Sequence, residues 1–324
     1  MKRIISLILI LVLALSLFAG CSGKSGADDG KLNIVTTIFP EYDWVKNITA
    51  GADNVDITLL LDSGADLHSY QPTADDFVKI SNCDVLIYVG GESDKWVDDA
   101  LKGAVNKNMI KINLLELLGS KAKEEETVEG MQAEKEEAEE GEEGPEYDEH
   151  VWLSLKNAST LCEKISNKLC EADEDNKDIY TKNTKDYLKK LNDLDAKYQS
   201  VRDTAKYDTM IFADRFPFRY LMDDYNLKYY AAFLGCSAES EASFETVAFL
   251  AKKLDELKLP AVMTIDKSDK KIAKTVIETS NQKNAEILEM DSMQSVTAKD
   301  VEDGKTYLGI MESNLTAFTK AIKE

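Results

Sequence analysis

The sequence predicts an α/β protein of two lobes with parallel sheets, joined by one long helix. Three observations carry this. Short β-rich runs alternate with helical stretches from Leu32 to about Leu115, the same alternation resumes at Asp208, and a long, sparingly apolar helical segment lies between them. About 300 residues beyond the N-terminal segment exceed what one compact core usually holds, which also favours two lobes.

The chain begins as a targeting segment, because Lys2 and Arg3 precede an unbroken apolar run, Ile4 to Phe18, that stops at small residues and a cysteine. The run is too short for a comfortable membrane span. Phe18-Ala19-Gly20-Cys21 resembles a bacterial lipobox, so residues 1–21 read as a lipoprotein signal peptide with Cys21 as the lipidated residue. Residues 22–30, rich in Ser, Gly and Asp, follow as a flexible tether. The expected location is extracytoplasmic, with the protein anchored to the cell membrane as a lipoprotein.

An N-terminal lobe is expected over 31–175. Its strands are Leu32 to Thr37, Val55 to Leu60 and Cys83 to Val89, with helical spacing over Tyr42 to Thr49 and Ala74 to Ser81. In parallel sheets of this kind ligands collect at the carboxyl ends of strands. His68 stands there, after the second strand and before the helix opened by Pro72-Thr73, and Thr73 with Asp76 forms a capping-box pattern. Residues 121–146 are nearly all Glu, Lys, Gly and Ala, so they read as a mobile acidic loop: a solvated face, or an antenna that concentrates cations beside His150.

A helix is expected from Ser154 to Cys170, and the linking helix over 176–206, where Ile179, Tyr180, Asn183, Tyr187, Leu191, Leu194 and Tyr198 recur every three or four residues. Some 30 helical residues span roughly 45 Å, the length of a lobe. The C-terminal lobe, 207–324, has strands at Thr209 to Ala213, Leu227 to Ala232, Ala261 to Ile265 and Ala285 to Leu288, and an amphipathic helix from Ser243 to Leu257. Two Rossmann-like lobes joined by a rigid helix follow from this order. Acidic residues again stand after the strands: Asp214, then Glu239 and Glu241, then Asp266, then Asp291.

The net charge of −21 argues against nucleic acid or an anionic lipid surface as partners and suits a collector of cations. Cys162 and Cys170 lie eight residues apart on one helix, roughly 12 Å of rise, and cannot bridge within it. With no CxxC pair, Cys83, Cys162, Cys170 and Cys236 read as thiols. The chain has only two histidines, His68 and His150, each in a polar segment beside an apolar run. Neutral imidazoles drawn from distant loops are common zinc ligands, so a metal site is the first functional expectation.

Three segments then resemble one family. His68-Ser69-Tyr70-Gln71-Pro72-Thr73 is similar to His-x-Tyr-Glu-Pro-Thr, Asp148-Glu149-His150-Val151-Trp152-Leu153-Ser154 to Asp-Pro-His-Val-Trp-Leu-Asp, and Leu288-Glu289-Met290-Asp291-Ser292-Met293 to an Asp-Ser or Asp-Pro turn. These are motifs of the zinc and manganese solute-binding lipoproteins of bacterial ABC importers. The resemblance implies one divalent ion in the interlobe cleft, held by His68 and His150 from one lobe and by Asp291 plus a fourth ligand from the other. It also implies a membrane permease as partner and a monomeric chain. At the fourth position the sequence departs from the pattern. Ala213-Asp214-Arg215-Phe216-Pro217-Phe218-Arg219-Tyr220 matches His-x-Ala-Phe-Gly-Tyr with Arg215 at the ligand, and a guanidinium cannot coordinate a cation. Asp214 is the first substitute, with Glu239, Glu241 or Cys236 as alternates, or a water with Arg215 pairing a carboxylate from behind.

Two imidazoles with one or two carboxylates suit Zn²⁺ and admit Mn²⁺; affinity order and the acidic loop favour zinc. The expected function is capture of Zn²⁺ (alternatively Mn²⁺) and delivery to the importer, not catalysis. A metal-dependent hydrolase competes, but HExxH, GxSxG and P-loop patterns are absent and no third histidine remains to act as a base. A surface adhesin with a structural metal is the other competing class; slow exchange in a closed site would mark it.

Overall fold

Two four-stranded sheets form the framework, and every strand pair in them is parallel. The structure is a computed structural model that describes residues 30–132, 146–237 and 241–323. Cys21 and the rest of the leader, residues 133–145 of the acidic stretch, and the alternate ligand Glu239 lie outside the described residues.

The first sheet holds β1 (Leu32–Thr36), β2 (Val55–Leu59), β3 (Val85–Tyr88) and β4 (Ile110–Asn113), in the order β2-β1-β3-β4. The second holds β5 (Thr209–Phe216), β6 (Lys228–Leu234), β7 (Ala261–Ile265) and β8 (Glu286–Met290), in the order β6-β5-β7-β8. The two lobes thus share one strand order. Central strands are mostly apolar, as burial on both faces requires: all five residues of β7, four of them apolar, are buried. The expected strands are present, and β4 is added to them. Its four residues, Ile110-Lys111-Ile112-Asn113, are too few for a clear alternation before the leucines of 114–118.

Lys177–Asp203 forms the long helix, 27 residues or roughly 40 Å. Its buried face is Tyr180, Thr184, Tyr187, Leu191, Leu194 and Tyr198, so five of the periodic residues do face the core. This helix packs on Phe39–Ile48 and Leu155–Ala172 of the first lobe and on the C-terminal helix Tyr307–Lys323. The last of these returns to the first lobe, where Tyr307 meets Trp44 edge to face at 5.3 Å between ring centroids. One buried cluster consequently runs through both lobes, from Trp44 and Val85 to Phe212, Met263 and Phe318, and a smaller one lines the outer face of the second sheet around Ile211, Leu250 and Val262.

The described part of the acidic stretch, 121–132, is a strap rather than a mobile loop. Met131 is buried, the Gln132 N–H donates to the Ala232 carbonyl at 2.9 Å, and Lys123 pairs with Asp223. Val128 and Met131 supply the apolar contacts that an all-charged segment would lack, which is why this end docks on the second lobe. Cys83, Cys162, Cys170 and Cys236 make no disulfide.

Candidate metal centre

Each histidine is placed by a short 3₁₀ turn after a strand or loop. His68 lies in Leu67–Ser69, capped by Asp66, whose Oδ1 accepts the His68 N–H at 3.0 Å; the exit is fixed by the Thr73/Asp76 capping box, as the spacing predicts. His150 precedes the turn Val151–Leu153 and is fully buried, its own N–H bonded to Asp148 Oδ1 at 2.9 Å. Two glycines permit the close packing around them. A Cβ on Gly235 would sit 2.6 Å from His150 Cε1, and one on Gly91, at φ +82°, would sit 2.5 Å from Glu149 Oε1.

The ring hydrogen bonds fix the tautomers. His150 Nδ1 is 2.9 Å from Asp148 Oδ1, a carboxylate that can only accept, so Nδ1 carries the proton and Nε2 presents a lone pair. His68 Nδ1 is 2.7 Å from Ser93 Oγ and 3.5 Å from Glu149 Oε2, and Ser93 in turn donates to Glu149. His68 is therefore also protonated at Nδ1. Both Nε2 atoms then point into the cleft and lie 3.0 Å apart. A tetrahedral ion with metal–nitrogen bonds of 2.0–2.1 Å holds two nitrogens roughly 3.3 Å apart, so a small opening of the pair admits one.

Burial and the neighbouring His150 drive the His68 pKa well below the ordinary imidazole value. Burial alone would lower His150 too, but its bond to Asp148 and the charges of Asp148, Glu149 and Glu125 more than reverse this and set it above that value. The pair favours a single proton over two.

From the second lobe, the side chain that reaches the histidines is Gln294, which the sequence reading did not single out. Its Nε2 is 2.9 Å from His68 Nε2 and 3.0 Å from His150 Nε2. Its loop is held there by Trp152, whose Nε1 donates to the Ser292 carbonyl at 2.9 Å across the cleft. A polar residue three positions past a strand-end aspartate was the available signal, but Gln resembles ordinary loop composition.

Asp291 follows β8 as expected, whereas Asp214 lies inside β5, which runs on to Phe216, and neither is gathered with the histidines: among the described residues no three or more His, Cys, Asp or Glu side chains form a group able to hold a metal. Their own lobe occupies them. Asp291 Oδ1 accepts the Met293 N–H at 2.7 Å and Oδ2 lies 3.3 Å from Lys305 Nζ. Asp214 Oδ1 accepts the Arg215 N–H at 2.9 Å. Burial raises the pKa of both. A break in the β5 register between Phe212 and Arg215 aims Arg215 across the cleft, where Nη2 binds Asp66 Oδ2 at 2.7 Å. Burial opposes the Asp66 charge, yet Arg215 and His68 hold its carboxyl below the usual range. Arg215 thus pairs the carboxylate that caps the His68 turn. Cys236 lines the cleft, and its thiol donates to Glu125 Oε1 at 2.8 Å, whereas Glu241 is exposed and does not line it. The cleft measures about 510 Å³ beside His68, lined by Asp66, Asp214, Arg215, Asp266, Ser292 and Gln294 among others.

Comparison with known proteins agrees with this architecture. The family described as zinc-uptake complex component A, periplasmic (ZnuA) matches residues 34–321. The chain is 30% identical over 313 residues to the high-affinity zinc uptake system protein ZnuA of Bacillus subtilis, covering 94% of each. It is 32% identical over 321 residues to the zinc-binding lipoprotein AdcA of Streptococcus pneumoniae, covering 98% of this chain and 60% of that protein, so it spans well under two thirds of AdcA. Among solved structures, the Zn(II)-bound ZnuA-like domain of that AdcA superposes with a TM-score of 0.70 at 27% identity, over 91% of this chain and 100% of the domain. The periplasmic zinc-binding protein TroA of Treponema pallidum shares the fold, with a TM-score of 0.72 at 23% identity, over 91% of this chain and 100% of that one. With the family matched over nearly the whole described chain, the protein belongs to the zinc-uptake component A family of metal-binding transport proteins.

Proposed function

We propose that this chain is the extracytoplasmic solute-binding component of an ABC-type importer, captures Zn²⁺ at His68 and His150, and delivers it to a membrane permease while tethered through Cys21. The observation that carries this reading is the pair of Nδ1-protonated imidazoles, one set directly by the Asp148 carboxylate and the other by the Ser93 hydroxyl that bonds Glu149, whose Nε2 lone pairs converge at 3.0 Å. Carboxylate–histidine pairs of this kind orient ligands and raise their basicity. Zn²⁺ is preferred over Mn²⁺ because the converging atoms are nitrogens and the affinity order for such ligands runs from manganese up to zinc. The reading is of a binding protein, not an enzyme, and of a monomer.

The test is a competitive titration of metal-stripped protein starting at Ser22, with Zn²⁺ against Mn²⁺, read by native mass spectrometry. One zinc retained against excess manganese is expected. Preferential retention of manganese would transfer the assignment to that metal, and no retained ion would remove the capture function.

A further inference from the structure

The residues that flank the acidic stretch pair as a short antiparallel ladder. The Asp148 N–H donates to the Lys123 carbonyl at 2.8 Å and the Glu125 N–H to the Glu146 carbonyl at 2.8 Å, with Glu124 opposite Tyr147 between them. In a ladder of this kind Lys123 and Asp148 should exchange both of their bonds directly. The return bond is instead carried by a residue of the second lobe. Tyr220, from the short helix Arg219–Asp224, places its hydroxyl between the two: it accepts the Lys123 N–H at 2.9 Å and donates to the Asp148 carbonyl at 2.9 Å. The ring is buried, and burial pushes the phenol well above its ordinary value, so the hydroxyl keeps the proton it donates. So short a two-stranded ladder is marginal by itself. Asp148 nevertheless has an exacting task, since its Oδ1 takes both the N–H and the Nδ1–H of His150 at 2.9 Å. The second lobe also walls the His150 ring, where Gly235 leaves no space for a side chain.

We propose that Tyr220 is a positioning residue for His150: its hydroxyl splices the ladder that ends in Asp148, so the second lobe sets the carboxylate that orients the first lobe's imidazole. This rests on the capture function proposed above and adds a residue that acts through Asp148 rather than on the ion. The strap stays docked without the hydroxyl. The Gln132 N–H still donates to the Ala232 carbonyl, Glu126 still pairs with Arg219 at 3.1 Å, and Lys123 still pairs with Asp223. Loss of the hydroxyl therefore frees Asp148 within an otherwise fastened segment.

The test uses Tyr220→Phe, which keeps the ring and removes the hydroxyl, in the protein from Ser22 onward. In chelator competition it should weaken zinc binding by at least about fivefold, and a smaller loss overturns the proposal. A double-mutant cycle with Asp148→Asn separates positioning from general damage, because that change leaves the Asp148 carbonyl in place. If Tyr220 acts through the carboxylate, the double variant should bind no more than about twofold weaker than Asp148→Asn alone; additive losses overturn the proposal. Two arms need no metal. The chain has only two histidines, so their Nδ1–H signals are readily assigned in the metal-free protein. Tyr220→Phe should move the His150 signal and leave that of His68 in place; an unmoved His150 signal, or equal movement of both, contradicts the proposal. In wild type the Lys123 amide should be protected from hydrogen exchange, and exchange at the free-peptide rate would contradict the splice without any variant. If wild type binds no zinc, the capture reading fails separately and these two arms decide the role of Tyr220.

Discussion

The two lobes share a strand order but bring unlike halves to the cleft. In the first lobe Asp148 and Glu149 stand behind the histidines and orient them, so the metal-facing atoms are already aimed. In the second, Asp214, Asp266 and Asp269 line the cleft and Asp291 follows β8, and their hydrogen bonds are made within that lobe; Ser292, for example, donates to Asp266 through both N–H and hydroxyl at 2.7 and 2.8 Å. A carboxylate serves a metal site either as ligand or as orienting partner, and its nearest donors decide which. Here the first lobe holds a finished half-site. The second reaches it through a neutral amide and a guanidinium.

The largest effect expected from this asymmetry is at the histidines. His150→Ala or His68→Ala should reduce zinc affinity by at least about a hundredfold in chelator competition, since two lone pairs become one. A loss under tenfold at either would break the comparison.

Next comes pH. His150 stands above the ordinary imidazole value and His68 below it, so below the His150 pKa the metal-free pair carries one extra proton, not two, and releases it when the ion binds. Affinity should therefore be highest above the His150 pKa and fall about tenfold per unit as pH drops below it. A slope of two decades per unit would show both rings titrating together.

Asp148→Asn should cost zinc affinity about 10–100-fold, because the amide no longer obliges Nδ1 to keep the proton. Retention of the same thermal midpoint would separate this from unfolding.

Beneath the first half-site lie two further buried acids. Burial, and then Asp94, push Glu41 up to about 8, while burial and Glu149 push Asp94 up to about 7. A carboxyl raised in the folded state binds more protons there than when unfolded. The stability it contributes is present below its unfolded value of 4.5 and is lost as pH rises through about 8. Urea melts should show wild type weakening over that window by up to roughly 1.4 kcal/mol per pH unit from Glu41, and Glu41→Gln flattening the slope. A slope unchanged in the variant would contradict this.

The smallest effects are expected in the second half. Asp214→Asn and Asp291→Asn should each change zinc affinity by less than about threefold, as their oxygens serve Arg215 N–H, Met293 N–H and Lys305. A hundredfold loss at Asp291 would mean that the lobe rearranges to bring it onto the ion.

The framework was legible in sequence because parallel strands buried on both faces leave apolar runs, and because Tyr180, Tyr187, Leu191, Leu194 and Tyr198 keep helical spacing over a whole lobe. β4 escaped because its four residues run directly into the leucine-rich helix of 114–118, so no turn residue marks where it ends. His68 and His150 were legible through their rarity and their positions after apolar runs. Gln294 was not, since its place beside His150 depends on where Trp152 anchors the Ser292 loop, a contact 140 residues apart in sequence. Arg215 was visible as a departure from the family pattern. Its partner Asp66 was not, because nothing local in the chain marks a bridge between lobes. The strap at 121–132 was hidden by its charge, with Ala122, Val128 and Met131 the apolar residues that dock it.

The central claim is that the ion is held by two imidazoles from one lobe. Zinc-edge X-ray absorption of the one-to-one complex tests it directly. The prediction is two histidine nitrogens at about 2.0–2.1 Å, falling to one in either alanine variant. A shell of oxygens with one imidazole or none would contradict it.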